Sequence, residues 1–152
     1  MTATTERPSV VFLSALRTPF GTFGGKLKGF SPIDLAVHAS KVAIERAGIS
    51  ATDVDQTIFG NVLYTTSDSI YFARHVSLKS GCREETSALT LNRLCGSGFQ
   101  AVVSGAQEII LGDAQVCLVG GGHGTDRRSL ATDLVANRRP QGQAPGKGGK
   151  SG

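Results

Sequence analysis

Three cysteines, three histidines and a few glycine-bracketed turns are the parts of this sequence able to do chemistry. Cys95 stands out by its setting. It follows LTLNRL and precedes Gly96-Ser97-Gly98 and the apolar stretch FQAVVSGAQEIIL, which places it on a turn between a strand and a helix. A thiol there lies near free backbone N–H groups at the positive end of a helix dipole, a setting that favours the thiolate. Such a thiolate can attack a carbonyl carbon, and the same N–H groups can receive the oxyanion that forms. The bland reading is a core cysteine, since free cysteine is among the most buried residue types.

A second reading of the same turn uses its glycines. Gly96, Gly98 and Ala101 satisfy G-x-G-x-x-A after a strand, the dinucleotide-binding fingerprint. That fingerprint expects an acid at the end of the next strand, but the next strand ends in Gly120-Gly121-Gly122, and Asp113 comes before it. Near the end of the chain, Ala144 to Ser151 differs from a P-loop only at its first position, yet no strand precedes it and no helix follows to hold a phosphate. His38 and His75 fall on helices and His123 just after the glycine run. None has metal spacing, and His123 is a candidate to approach Cys95 from a neighbouring strand end.

The elements that position Cys95 follow from periodicity and punctuation. Val10 to Leu16 reads as a strand buried on both faces. Ser31-Pro32 opens a helix with one apolar face that Gly48 closes. Gln56 to Tyr64 reads as a strand broken by Gly60, Ser69 to Ser80 as a helix closed by Gly81, and Ser87 to Asn92 as a third strand. Phe99 to Leu111 is apolar on most of its circumference and is expected to be buried, and Val116 to Val119 is a fourth strand. This is an α/β domain whose first units are strand, helix, strand.

Charge and composition narrow the function classes. The formal charge of +4 sits in residues 126–152, which hold six basic and two acidic residues, while residues 1–125 hold ten of each. A basic face for nucleic acid is therefore not expected on the domain. No apolar run approaches a membrane span, and MTATTERP has neither a signal segment nor an Arg-rich transit pattern. With no C-x-x-C pair among Cys82, Cys95 and Cys117, the expectation is a reducing, cytoplasmic setting without disulfides or metal. The organisation read from these features is a flexible 1–8, a domain over 9–123, and a basic, Gly-rich, disordered tail over 124–152.

Four segments in order, ALRTPFGTFGGKLKGF, GNVLYTTSD, ARHVSLKSG and NRLCGSGFQAV, resemble the amino-terminal half of a thiolase, an acetyl-CoA acyltransferase. The likeness covers about residues 9–122, and N-R-L-C-G-S-G is closer to degradative thiolases than to ketoacyl synthases. It implies a thiolase-like fold, first half, with a mixed sheet and a buried helix after the cysteine. It implies that Cys95 is the nucleophile that takes an acyl group from a 3-ketoacyl-CoA and hands it to a second coenzyme A, or that holds an acetyl group in the condensing direction of fatty-acid metabolism. Its backbone N–H would join an oxyanion site.

The resemblance also implies that coenzyme A is a substrate, that no cofactor is needed, and that the chain works as a homo-oligomer or with a thiolase second half. After the glycine run the family continues Glu-Ser-Met-Ser, where this sequence has His123-Gly124-Thr125-Asp126. The family's Asn-Glu-Ala-Phe motif, Gly-His-Pro histidine and second cysteine have no counterpart in these residues. The expectation is therefore a truncated acyltransferase, impaired on its own. The alternatives are a non-catalytic interaction fragment of a thiolase and a dinucleotide-binding domain.

Overall fold

Helix α1 (Pro32–Ala47) starts and stops where local chemistry dictates. Ser31 Oγ accepts the Asp34 N–H at 3.0 Å, and the Asp34 carboxylate accepts the Ser31 N–H at 3.0 Å, a reciprocal capping box. The Ser31 hydroxyl, donating to the same carboxylate at 2.7 Å, and the Ser31 N–H hold the Asp34 carboxyl below the usual carboxylate range. Pro32 fills the first helical position, and Gly48 ends the helix at φ 69°, a conformation costly for any residue with a Cβ. The computed structural model of the chain describes residues 9–122 and 130–137.

The other elements are β1 (Val10–Arg17), β2 (Gln56–Asn61), α2 (Phe72–Ser80), β3 (Ser87–Leu91), α3 (Ser97–Leu111), β4 (Val116–Gly122) and β5 (Leu130–Asn137). The strands form a single mixed sheet in the order β1-β5-β4-β2-β3. β2 runs parallel to both β3 and β4, while β5 runs antiparallel to β4 and to β1. Asp55 fixes the lower end of this arrangement: one carboxylate oxygen accepts the N–H groups of Gln115 and Val116, and the other accepts from Arg83.

Alternation along the strands sends successive side chains to opposite faces. Phe59 and Leu118 point to α1 and α2, where they meet Ile33, Phe72 and Val76. Ile58, Cys117, Val119 and Val135 point to the other face, where they meet Ala101 and Ile109 of α3. The Phe59 and Phe72 rings lie 5.9 Å apart in a tilted pair at the centre of the first core.

Several sequence expectations are corrected. β1 is an edge strand with Phe12 and Leu13 exposed, because on one side it pairs with β5 and on the other with nothing described. The helix expected over Ser69 to Ser80 begins as a 3-10 turn at Ser69–Tyr71 and becomes α-helical only at Phe72. Only one stripe of α3 is buried: Ala101, Gly105 and Ile109 face the sheet, while Phe99, Val103, Ile110 and Leu111 are exposed.

The largest correction falls in the expected disordered tail. Leu130–Asn137 is a strand inserted between β1 and β4, with Val135 and Ala136 buried. Its short apolar pattern is overshadowed in sequence by the glycine-rich residues that follow, and its pairing partners lie more than a hundred residues away in β1. Residues 1–8 and 138–152, including the P-loop-like stretch, lie outside the described residues, as does His123.

Candidate active site

Cys95 lies on a turn stitched together from both sides. Asn92 Oδ1 accepts the Leu94 N–H, the Arg93 carbonyl accepts the Gly96 N–H, and the Leu94 carbonyl accepts the Ser97 N–H. Ser97 Oγ accepts the Arg93 N–H at 2.8 Å and donates to the Leu94 carbonyl at 2.7 Å, so one hydroxyl closes the turn in both directions. Arg93 then donates to Gln100 Oε1, tying the turn to the first part of α3. Leu94 has φ 49°, the left-handed region, although it is not a glycine. Backbone strain of that kind costs about 1–3 kcal/mol and persists only where the surroundings impose it. Here it lifts Leu94 and Cys95 to the surface, the arrangement of a nucleophile on a tight strand-to-helix turn.

Two glycines bring that turn down onto the sheet. A Cβ on Gly60 would stand 2.5 Å from Ser97 Cβ, and one on Gly121 would stand 2.9 Å from Gly98 Cα. The start of α3 therefore rests directly on the ends of β2 and β4. This explains Gly60, which does not break its strand, and the glycine run, which continues β4 to Gly122. Of the glycines in the dinucleotide-like run, Gly98 has open space on its Cβ side and Gly96 faces only Arg93, so the helix-to-sheet contact is made possible by Gly60 and Gly121 instead.

Above this floor opens a cavity of about 790 Å³. Phe12, Phe20, Val62, Leu94, Phe99 and Val102 make it apolar, Cys95 stands on its wall, and Asp133 of β5 faces it as well. Burial raises the Asp133 carboxyl above its ordinary range. Asp133 escaped sequence reading because it lies in the segment taken for a disordered tail. The available signal was its place in LATDLVAN, one strand alternation from the buried Val135.

The structure separates the three cysteines. Cys95 is exposed; Cys82 and Cys117 are buried. Burial pushes the Cys82 thiol up and the Cys117 thiol up to about 12, with Glu108 and Asp55 adding to the latter. Of the amides after Cys95, those of Gly96 and Ser97 are engaged by the Arg93 and Leu94 carbonyls, whereas those of Gly98 and Phe99 have no described backbone acceptor. His38 is exposed on α1, and His75 lies 3.7 Å from Asp68 and stacks on Tyr71, so neither belongs to this cavity. Among the described residues no group of three or more His, Cys, Asp or Glu could hold a metal ion, and no helix is long and apolar enough to cross a membrane.

A strained cysteine turn resting on glycine strand ends, inside a mixed α/β sheet, defines the fold class, and comparison with known proteins gives the family. The family model described as "Thiolase, N-terminal domain" matches residues 10–143, so the chain belongs to the thiolase amino-terminal domain family. The mitochondrial 3-ketoacyl-CoA thiolase of Bos taurus is 48% identical over 130 residues, which are 86% of this chain and 32% of the relative. That of Homo sapiens is 50% identical over the same length and coverage. The crystal structure of the human mitochondrial enzyme in complex with CoA superposes with a TM-score of 0.74 at 51% identity, covering 76% of this chain and 29% of that one. The chain thus spans about a third of the length of the curated relatives it matches.

These relatives correct the expected compartment. Both are named mitochondrial, which points to the mitochondrion rather than the cytoplasm. Free cysteines distinguish oxidising from reducing surroundings, not one reducing compartment from another.

Proposed function

We propose that this chain carries the nucleophile of a thiolase-class acyltransferase, with Cys95 accepting an acyl group from an acyl-CoA thioester. One observation carries the reading: Cys95 is the exposed thiol, presented by a strained turn at the wall of an apolar cavity, in a chain of the thiolase family. In the condensing direction the sulfur attacks the thioester carbonyl of acetyl-CoA and coenzyme A leaves. In thiolysis it attacks the 3-keto carbon of a 3-ketoacyl-CoA and acetyl-CoA leaves. The open amides of the first turn of α3 are suited to either oxyanion. Coenzyme A is then substrate and product, with no cofactor in the reaction. Thiolysis of a 3-ketoacyl-CoA and condensation of acetyl groups both pass through the same acyl-cysteine.

No histidine and no second cysteine line the cavity among the described residues. Acylation of Cys95 is therefore the step this part of the molecule supports, and full turnover calls for acid/base groups from elsewhere, typically worth about a hundred- to ten-thousand-fold. The apolar outer face of α3 supports a further packing layer, a thiolase second half or a second copy of the chain.

The test combines labelling and acylation. Limiting iodoacetamide at neutral pH should modify Cys95 and spare Cys82 and Cys117, as located by mass spectrometry. Acetyl-CoA should leave an acetyl adduct on Cys95 that Cys95→Ala lacks. Preferential labelling of either buried thiol, or an adduct that survives Cys95→Ala, would sink the assignment.

A further inference from the structure

Among the described residues, Leu94 is the one position other than glycine with a positive φ, and Cys95 is the next residue. A leucine resists that conformation because its Cβ crowds the backbone. Its side chain is 70% exposed, so apolar burial does not hold it there. Two neighbouring side chains do. Asn92 Oδ1 accepts the Leu94 N–H at 3.0 Å, and Ser97 Oγ donates to the Leu94 carbonyl at 2.7 Å while accepting the Arg93 N–H at 2.8 Å. Ser97 is itself anchored, since it is 4% exposed and lies over Gly60 of β2, where no Cβ intervenes. The Leu94 carbonyl and the Cys95 N–H share one planar peptide unit, so tying the first fixes the direction of the second.

We propose that Asn92 and Ser97 are positioning residues for acyl transfer to Cys95: they clamp Leu94 in its left-handed conformation and thereby aim the thiol and the amides around it at the acyl donor. The inference rests on the acyl-cysteine reading above. In the step concerned, Cys95 Sγ bonds to the carbonyl carbon of the donor, the bond from that carbon to the leaving group breaks, and the thiol proton passes through solvent to the leaving group. Neither Asn92 nor Ser97 gains or loses a proton. Their part is geometric, since reacting groups misplaced by about 1 Å lose about a hundredfold in rate. Without the Ser97 hydroxyl the Arg93 N–H loses its acceptor and the Leu94 carbonyl keeps only the Ser97 N–H, so Leu94 is freer to relax to a negative φ.

The experiment measures single-turnover acylation of Cys95 in the full chain by acetyl-CoA and by p-nitrophenyl acetate, an activated ester that needs no recognition of coenzyme A. Alkylation by iodoacetamide, which displaces iodide and forms no oxyanion, is timed on the same samples. Wild type, N92A, S97A, L94G and L94G/S97A are compared. S97A should be acylated about a hundredfold more slowly than wild type and N92A about tenfold more slowly, with alkylation changing far less. Glycine takes a positive φ without steric cost, so in the L94G background S97A should slow acylation only about threefold. A serine that merely supports the fold would cost the same in both backgrounds. Acylation of S97A at the wild-type rate overturns the proposal, as does equal slowing of acylation and alkylation, or an S97A penalty that L94G leaves untouched. If S97A does not fold by circular dichroism, the exposed Asn92 decides: N92A acylated like wild type counts against the clamp. If p-nitrophenyl acetate shows the expected pattern while acetyl-CoA leaves Cys95 unmodified, the acyl-CoA reading falls and the clamp stands. If neither donor acylates Cys95, both fall.

Discussion

The two faces of the sheet are finished differently. On one, α1 and α2 lie side by side over Phe59 and Leu118, and α1 turns polar residues outward; Phe72 is 1% exposed at the centre of a closed core. On the other, α3 lies alone, and its outer surface presents Phe99 and Leu111 at 82% and 75% exposure. The cavity beside Cys95 opens on the second face. The same sheet thus serves as a stable foundation on one side and as an open platform on the side that presents Cys95.

The sharpest way to break this comparison is to truncate one aromatic on each face. Phe72→Ala should destabilise the fold by about 3–5 kcal/mol, the usual cost of emptying a closed core of an aromatic ring. Phe99→Ala should stay within about 0.5 kcal/mol, as for exposed positions, and urea titration of both variants reads the difference. Equal losses would mean that α3 is covered as completely as α2.

Next in size comes the seam between platform and turn. Gly60→Ala places a methyl group 2.5 Å from Ser97 Cβ and 2.9 Å from its backbone carbon, neither of which is a flexible chain end. A cost of about 1–3 kcal/mol is expected, accompanied by altered alkylation of Cys95 as the start of α3 lifts. Unchanged stability and unchanged labelling would show that the turn does not rest on the strand.

The smallest effect is on the foundation side. Ser31→Ala should cost about 1 kcal/mol through loss of the α1 cap. Asp34 is held below its ordinary value of 3.8 by Ser31, so its share of stability is complete above that value and is lost as pH falls through the depressed one. The penalty of Ser31→Ala should accordingly shrink in acid, as measured by thermal melts at neutral and at acidic pH.

What was legible in the sequence was what local chemistry decides. Ser31, Pro32 and Gly48 bound α1 through contacts within a turn, and the Cys95 turn is announced by the residues beside it. What escaped depends on partners distant in the chain. β1 was read as doubly buried because its composition is that of a central strand, whereas its exposure follows from its edge position. Gly60 was read as a break because its role lies in Ser97, well along the chain. Asp133 lines the cavity only because β5 pairs with β1 and β4, and the apolar circumference of α3 signals burial without specifying what covers its outer half.

Among the described residues β5 is the last strand in sequence, yet it occupies a slot between β1 and β4. Among the described residues β1 packs against α1 but has no strand to pair with until residues 130–137 have been made. A pairing that closes so long a loop is slow to form, and a waiting strand with Phe12 and Leu13 outward is open to wrong partners. Among the described strands, β2, β3 and β4 pair with one another over shorter stretches of chain, whereas β1 waits for β5.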